Sequence, residues 1–153
     1  MTILVRGATE ADRVFIETLG KRTAMDSASS LRPADPASVL ANFERLLEIV
    51  AQREHVALIA ESGGKRAGFL LLLNSLPDEV TGDDQAFVVY MAVEREARRA
   101  GIGSALLERA EDEARKRGAP YVALMVTQEN AAARALYERA GYRTERLLLC
   151  KTL

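Results

Sequence analysis

The residues best suited to chemistry in this chain run from Arg98 to Ser104: Arg98-Arg99-Ala100-Gly101-Ile102-Gly103-Ser104. A strand-like apolar run, Phe87 to Val93, leads into them through a short charged linker, and an amphipathic helix pattern starts at once behind them. A strand, a glycine-bearing turn and a helix N-terminus in that order form a place for an anion. The first helical N–H groups have no intrahelical acceptor and carry the positive end of the helix dipole, so they can hold a phosphate or pyrophosphate. Arg98 and Arg99 add positive charge beside it. Two better-known phosphate loops do not fit. A dinucleotide fingerprint needs three glycines, an early strand and a later acidic ribose ligand, and a nucleotide-hydrolase loop needs Gly-Lys-Ser/Thr. Gly103-Ser104 lacks the lysine. The bland alternative is that Gly101 and Gly103 only permit a tight turn.

A second segment carries chemistry at Asn130-Ala131-Ala132-Ala133-Arg134-Ala135-Leu136-Tyr137-Glu138-Arg139-Ala140-Gly141-Tyr142. It reads as a short helix stopped at Gly141 and followed by a last strand. The two segments together resemble the GCN5-related N-acetyltransferase (GNAT) superfamily. Arg98, Gly101 and Gly103 match its Arg/Gln-x-x-Gly-x-Gly/Ala signature. Asn130, Ala133, Leu136, Tyr137, Gly141 and Tyr142 match its Asn-x-x-Ala-x-x-Leu-Tyr-x-x-x-Gly-Phe/Tyr segment. The resemblance covers about the last seventy residues well and the first half by order of elements. Members commonly carry a proline, an aromatic and an extra glycine after the strand valine, where this chain has Arg95, Ala97 and Arg99.

The resemblance implies a mixed α/β fold with a central sheet whose two middle strands, Gln85–Val93 and Tyr121–Val126, splay apart around the arm of acetyl-coenzyme A. It implies that backbone N–H groups from about Arg99 to Ser104, through Ala100, Gly101, Ile102 and Gly103, hold the cofactor, with Arg98 alongside. It also implies that main-chain groups of Met91-Ala92-Val93 face the thioester, where a transition-state oxyanion needs pre-placed donors. Tyr137 is the candidate acid, because a phenol with pKa about 10 is protonated at neutral pH and can donate to a leaving thiolate, whose thiol has pKa about 8.5 by analogy with cysteine. Its alternative is core packing, since Ala133, Leu136, Tyr137 and Ala140 share one helix face. Asn130 fits either the pantetheine arm or a helix N-cap. The general base is left open among Glu61, Glu79, Asp83 and Asp84.

The implied reaction is transfer of an acetyl group from acetyl-coenzyme A to a primary amine by direct transfer in a ternary complex, with a small-molecule or peptide amine as acceptor and no metal. A non-catalytic domain that senses acetyl-coenzyme A is the alternative. Acceptor choice is expected from Lys21–Asp35, the second helix and Leu76–Asp84, since loops carry specificity.

Composition narrows the field further. The 153 residues suit one domain. Lys plus Arg number 21 against 22 Asp plus Glu, a formal charge of −1, so no global field favours nucleic acid or an anionic membrane. Cys150 is the only cysteine and His55 the only histidine, which excludes an intramolecular disulfide and a multi-histidine metal site within one chain. No apolar h-region follows Met1, and Phe69–Leu73 is too short to span a bilayer, so a cytoplasmic protein is expected.

The remaining pattern supplies the elements that position these residues. Ile3–Arg6 reads as a strand, and Thr9 and Asp12 as the start of a helix to about Leu19. Lys21–Asp35 reads as a loop with a short helical piece. Asp35-Pro36 caps a second helix with Val39, Leu40, Phe43, Leu46, Leu47 and Val50 at helical spacing. His55–Glu61 and Arg66–Asn74 read as a hairpin around Gly63-Gly64. A helix follows from Ile102 to Gly118, then a strand Tyr121–Val126, a helix Ala131–Ala140 and a final strand Arg143–Thr152. That last strand is more apolar than one buried face needs and predicts a homodimer through a sheet edge. The four carboxylates of the loop from Asp78 to Asp84 are a candidate lure for cationic amines, with solvation of a hairpin loop as the alternative.

Overall fold

The computed structural model describes residues 2–153. Its sheet runs β1 (Ile3–Gly7), β2 (His55–Ser62), β3 (Lys65–Leu73), β4 (Ala86–Val93) and β5 (Val122–Leu124), in that spatial order. The first four strands are antiparallel and β4 pairs with β5 in parallel. β3 is the centre. Its residues from Ala67 to Leu73 are all buried, because helices cover both faces of the sheet there.

Strand alternation sorts the core into two clusters. Leu58, Leu70 and Leu72 pack with Ile102 and Leu106 of α3 (Ile102–Lys116). Ile59, Phe69 and Leu71 point to the other face, against Leu19 of α1 (Arg13–Thr23) and Phe43 of α2 (Pro36–Ala51). Asp35 caps α2 through the Ser38 N–H, with Pro36 at the first helical position. A single 3₁₀ turn, Glu10–Asp12, precedes α1. The helix then continues past Leu19 to Thr23, and a second 3₁₀ turn, Ala24–Ser27, supplies the short helical piece expected in the loop.

A buried ion-pair network ties β1, β3 and α1 together. Asp12, with no exposed side-chain surface, accepts from Arg6 at 2.7 and 2.9 Å and from Arg66 at 2.7 Å, while Glu61 takes the Arg6 Nε at 2.9 Å. The Arg6 guanidinium, the Thr9 N–H and Arg66 together hold the Asp12 carboxyl far below the ordinary carboxylate range, against the cost of its burial.

The far side of the sheet differs from expectation. β5 is three residues long rather than the six of Tyr121–Val126, and the expected strand Arg143–Thr152 does not form. After α4 (Ala131–Arg139) the Tyr142 hydroxyl donates to Glu111 on α3, 3.0 Å, and Arg146 pairs with Asp78, 2.8 Å. Beyond these anchors the tail pairs with no strand among the described residues, and Leu147, Leu148 and Leu149 are 74–87% exposed.

Candidate active site

The parting of the two middle strands has a local cause. Pairing of β4 with β5 covers only Ala86↔Val122, Phe87↔Ala123 and Val88↔Leu124. On the other side of β4, the register with β3 jumps from Leu71↔Tyr90 to Leu72↔Val88, leaving Val89 as a bulge. A bulge bends and twists its strand. It falls where β4 leaves β5, so Val89 to Val93 continue beside a gap with no ladder partner on that side. Met91, Ala92 and Val93 lie along this stretch. Ala92 is buried; Met91 and Val93 are half-buried. All three pair with β3 on one side, their main-chain N–H groups alternating between β3 and the gap, while their side chains pack.

The anion cradle stands at the upper end of β4. A 3₁₀ turn, Arg95–Ala97, leads into Arg98. Arg99 has φ 63° and Gly101 φ 86°, a left-handed pair around Ala100. A non-glycine residue in that region is strained, a state that persists where surrounding structure enforces it. Gly101 sits at the N-cap of α3 with no side-chain cap. The first backbone bond of the helix runs from the Ala105 N–H to the Gly101 carbonyl, 3.0 Å. The N–H groups of Ile102, Gly103 and Ser104 therefore precede the helical ladder and are free to face a ligand. Arg98 Nε donates to the Val93 carbonyl at 3.3 Å, which fastens the loop to the strand end. Arg98, Arg99 and Ala100 are exposed.

Gly103 joins the two sequence motifs. A Cβ there would come within 2.8 Å of Leu136 Cδ2 and 3.7 Å of Met91 Cε. The start of α3, the gap-facing strand and α4 thus converge on one glycine. Tyr137, the next residue of α4, is half-buried against the α3-side core, and its ring meets Tyr142 edge-on at 6.1 Å. Burial alone pushes its phenol above the ordinary value, and its hydroxyl has no hydrogen-bond partner among the described residues. Tyr142 differs: its hydroxyl is committed to Glu111, and burial with that carboxylate raises it further. Asn130 acts as an N-cap, its Oδ1 accepting from the Ala133 N–H at 3.2 Å.

The opposite face of the gap carries a strap that spacing could not reveal. Tyr90, in the gap-facing part of β4, shares a 2.8 Å hydrogen bond with Thr23 and donates to the Gly20 carbonyl at 3.2 Å. Arg22 forms two 2.9 Å bonds to Glu94 at the strand end and holds that carboxyl below its ordinary value. The loop then crosses to the far strand. Thr127 donates to the Ser27 carbonyl at 2.6 Å, and Ser30 donates to Glu129 through both its N–H and its hydroxyl at 3.0 Å. Residues 24–30 therefore bridge from β4 to the turn before α4. Their serines read as loop signals; partners a hundred positions away left no mark in the local pattern.

The carboxylate loop is placed elsewhere. Leu76–Asp84 joins the end of β3 to the start of β4, the foot of the strand, whereas the gap opens toward Val93. The gap begins at Val89, about 10 Å along the strand from Ala86, and its upper end at Val93 is about 23 Å away. Asp78 is spent on the Val80 and Thr81 N–H groups and on Arg146, Asp83 on Thr81 and Asp84 on Ser75. Asp78, Asp83 and Asp84 are thus engaged locally, which favours the solvated-hairpin alternative over an acceptor lure. Among the described residues, no cluster of three His, Cys, Asp or Glu side chains could hold a metal, and no helix is long and apolar enough to cross a membrane.

A strained loop feeding free helical N–H groups, a gap between parallel strands and a phenol on the helix opposite define an acyl-coenzyme A type of site. The model of the Acetyltransferase (GNAT) family matches residues 23–142, and the chain belongs to that family. It is 43% identical over 67 residues to mycothiol acetyltransferase of Beutenbergia cavernae, covering 44% of this chain and 21% of that protein. It is 46% identical over 59 residues to the ribosomal protein bS18-alanine N-acetyltransferase of Escherichia coli, covering 39% and 40%. The chain thus spans between a fifth and two fifths of the length of these relatives. A solved structure from Pyrococcus furiosus, described as an acetyl transferase, superposes with TM-score 0.83 at 27% identity over 99% of this chain and all of that one.

Proposed function

We propose that this chain transfers the acetyl group of acetyl-coenzyme A to a primary amine, directly, with both substrates in the gap between β4 and β5. The observation that supports the reading is the convergence of Gly103, Met91 and Leu136, which brings the turn before α3, the stretch of β4 beside the gap and α4 together.

In this reading the N–H groups from Arg99 to Ser104 hold the pyrophosphate, with Arg98 and Arg99 adding charge at the solvent side. Asn130, besides capping α4, borders the pantetheine arm. The amine nitrogen attacks the thioester carbonyl carbon. Charge develops on the carbonyl oxygen, and those backbone N–H groups of the Met91–Val93 stretch that do not pair with β3 stabilise it. The C–S bond breaks and the electron pair leaves on sulfur. Tyr137, kept protonated by its burial, donates its hydrogen bond there. The proton lost by the amine leaves through water. The strap over residues 24–30 forms the acceptor side.

The test has two parts. Calorimetry should find coenzyme A binding in preference to ATP or NAD, with a gain in thermal stability. Thiol release with a panel of amines should then find an acceptor, and Tyr137→Phe should lower kcat by about 10²-fold with coenzyme A affinity retained. No coenzyme A binding at millimolar ligand would end the reading. Unchanged turnover in Tyr137→Phe would return the phenol to packing.

A further inference from the structure

The packed half holds one residue that its own strand does not explain. Gly68 lies inside β3, buried, and faces α3 together with Leu70 and Leu72. A glycine within a strand weakens it, because it packs no side chain, and it often marks a close approach of other backbone. Gly68 is not among the glycines with positive φ. Position 68 therefore requires space and not a left-handed backbone.

That space is filled from two directions. A Cβ at position 68 would come within 2.8 Å of the Ala92 carbonyl oxygen, 3.2 Å of Ile102 Cγ2 and 3.4 Å of Leu106 Cδ1. The first contact is too short for any side-chain carbon, and the second requires its neighbour to give way. β3 is the element least able to yield. Gly68 is paired with Ala60 on one side and with Val93 on the other, and the strand is covered on both faces. What a side chain would displace is β4 at Ala92 or α3 at its first residue. Ala92 lies between Met91 and Val93, the stretch set against the thioester in the acetyl-transfer reading. Ile102 opens the helix whose free N–H groups are set against the pyrophosphate.

We infer that Gly68 is a positioning residue for the acetyl donor: its missing side chain sets the spacing between the Met91–Val93 stretch and the first turn of α3. This rests on the acetyl-transfer reading and extends it, since Gly68 belongs to neither sequence motif. The thioester arm and the diphosphate end of coenzyme A are one covalent ligand. The second end binds at a high effective concentration only while the two places stand at the separation the ligand spans. A change of spacing leaves each place able to hold its own half and weakens the joint fit.

Calorimetry with three ligands reads that joint fit: coenzyme A, pantetheine as the arm alone, and adenosine 3′-phosphate 5′-diphosphate as the other end alone. Gly68→Ala should weaken coenzyme A binding about threefold and Gly68→Val at least about 10-fold, while each half stays within about twofold of the parent. Gly7→Ala controls for the loss of a strand glycine, since a Cβ there would meet nothing within 4 Å, and should leave all three affinities unchanged. Ile102→Leu withdraws the methyl that rests over Gly68 and should produce the same split from the helix side. If the valine variant fails to fold, Gly68→Ala and Ile102→Leu decide. Halves that weaken in step with coenzyme A, or coenzyme A binding indifferent to all three variants, would return Gly68 to packing, whatever the loss in thermal stability. A parent protein that binds neither coenzyme A nor its halves would end the acetyl-transfer reading and the role of Gly68 with it.

Discussion

β3 and β5 belong to one sheet and could hardly be less alike. β3 buries seven consecutive residues between helices on both faces, whereas each of the three residues of β5 is half-buried and α4 beside it has none that is fully buried. Stability and chemistry are accordingly divided. The first four strands with α1, α2 and α3 form the part that resists deformation. The site is placed at the seam where that packing stops, because a cofactor needs unpaired backbone and open volume, both of which a packed core eliminates. The Val89 bulge marks the seam: below it β4 is an ordinary sheet strand, above it the same strand borders a gap.

If the division is right, the largest losses of stability come from the antiparallel half. Asp12→Asn leaves Arg6 and Arg66 facing a neutral amide. Breaking a buried pair costs about 3–5 kcal/mol, and the lower figure applies because both arginines retain access to water. The same contact sets an acid limit. The Asp12 carboxyl ionises far more readily folded than unfolded, so its contribution is complete above the unfolded pKa of about 3.9 and fades as pH falls below it. Denaturant titrations at pH 7, 4 and 2.5 should show the parent losing its advantage over Asp12→Asn as pH drops. A constant difference would remove Asp12 from the network's stabilising role.

A matched pair of truncations measures the contrast across the seam. Leu70 is fully buried in the α3-side core, and Leu70→Ala should cost about 2–5 kcal/mol. Leu136 is half-buried over Gly103, and Leu136→Ala should cost only about 1 kcal/mol, half the transfer energy of a buried leucine. Its larger effect should fall on coenzyme A affinity, since it closes the roof of the cradle. Equal stability losses would contradict a thinly packed site flank.

The same division explains what the sequence made legible. Strand alternation, the Gly63-Gly64 turn and the Asp35-Pro36 cap depend on neighbours a few positions apart, and they placed most of the antiparallel half. The turn from Arg98 to Ser104 stood out because its residues are consecutive, and its role as a cradle belongs to the proposed function. The strap was not: Ser30 meets Glu129 and Ser27 meets Thr127 only after folding. The final strand was misread for a related reason. Arg143–Thr152 has strand-forming composition, but a strand requires a hydrogen-bonding neighbour, and this segment pairs with none while Arg146 is engaged with Asp78. Chain order alone likewise put the carboxylate loop next to the gap, because β4 touches both, while direction along the strand separates them.

That separation yields the smallest expected effect. The loop lies about 23 Å along β4 from the gap's upper end at Val93, more than two Debye lengths at physiological salt, so Asp83 and Asp84 should steer little an acceptor that enters there. Both are also engaged within the loop, to Thr81 and Ser75. Asp83→Asn with Asp84→Asn should leave kcat/KM unchanged for a cationic and for a neutral amine, at physiological and at high salt. A cationic acceptor whose kcat/KM falls with salt would owe that fall to charges nearer the gap, and the double variant should preserve it. If the variant instead abolishes the fall, the acceptor approaches from the foot of β4. The seam would then extend along the whole strand, and the division between a packed half and a reactive end would have to be redrawn.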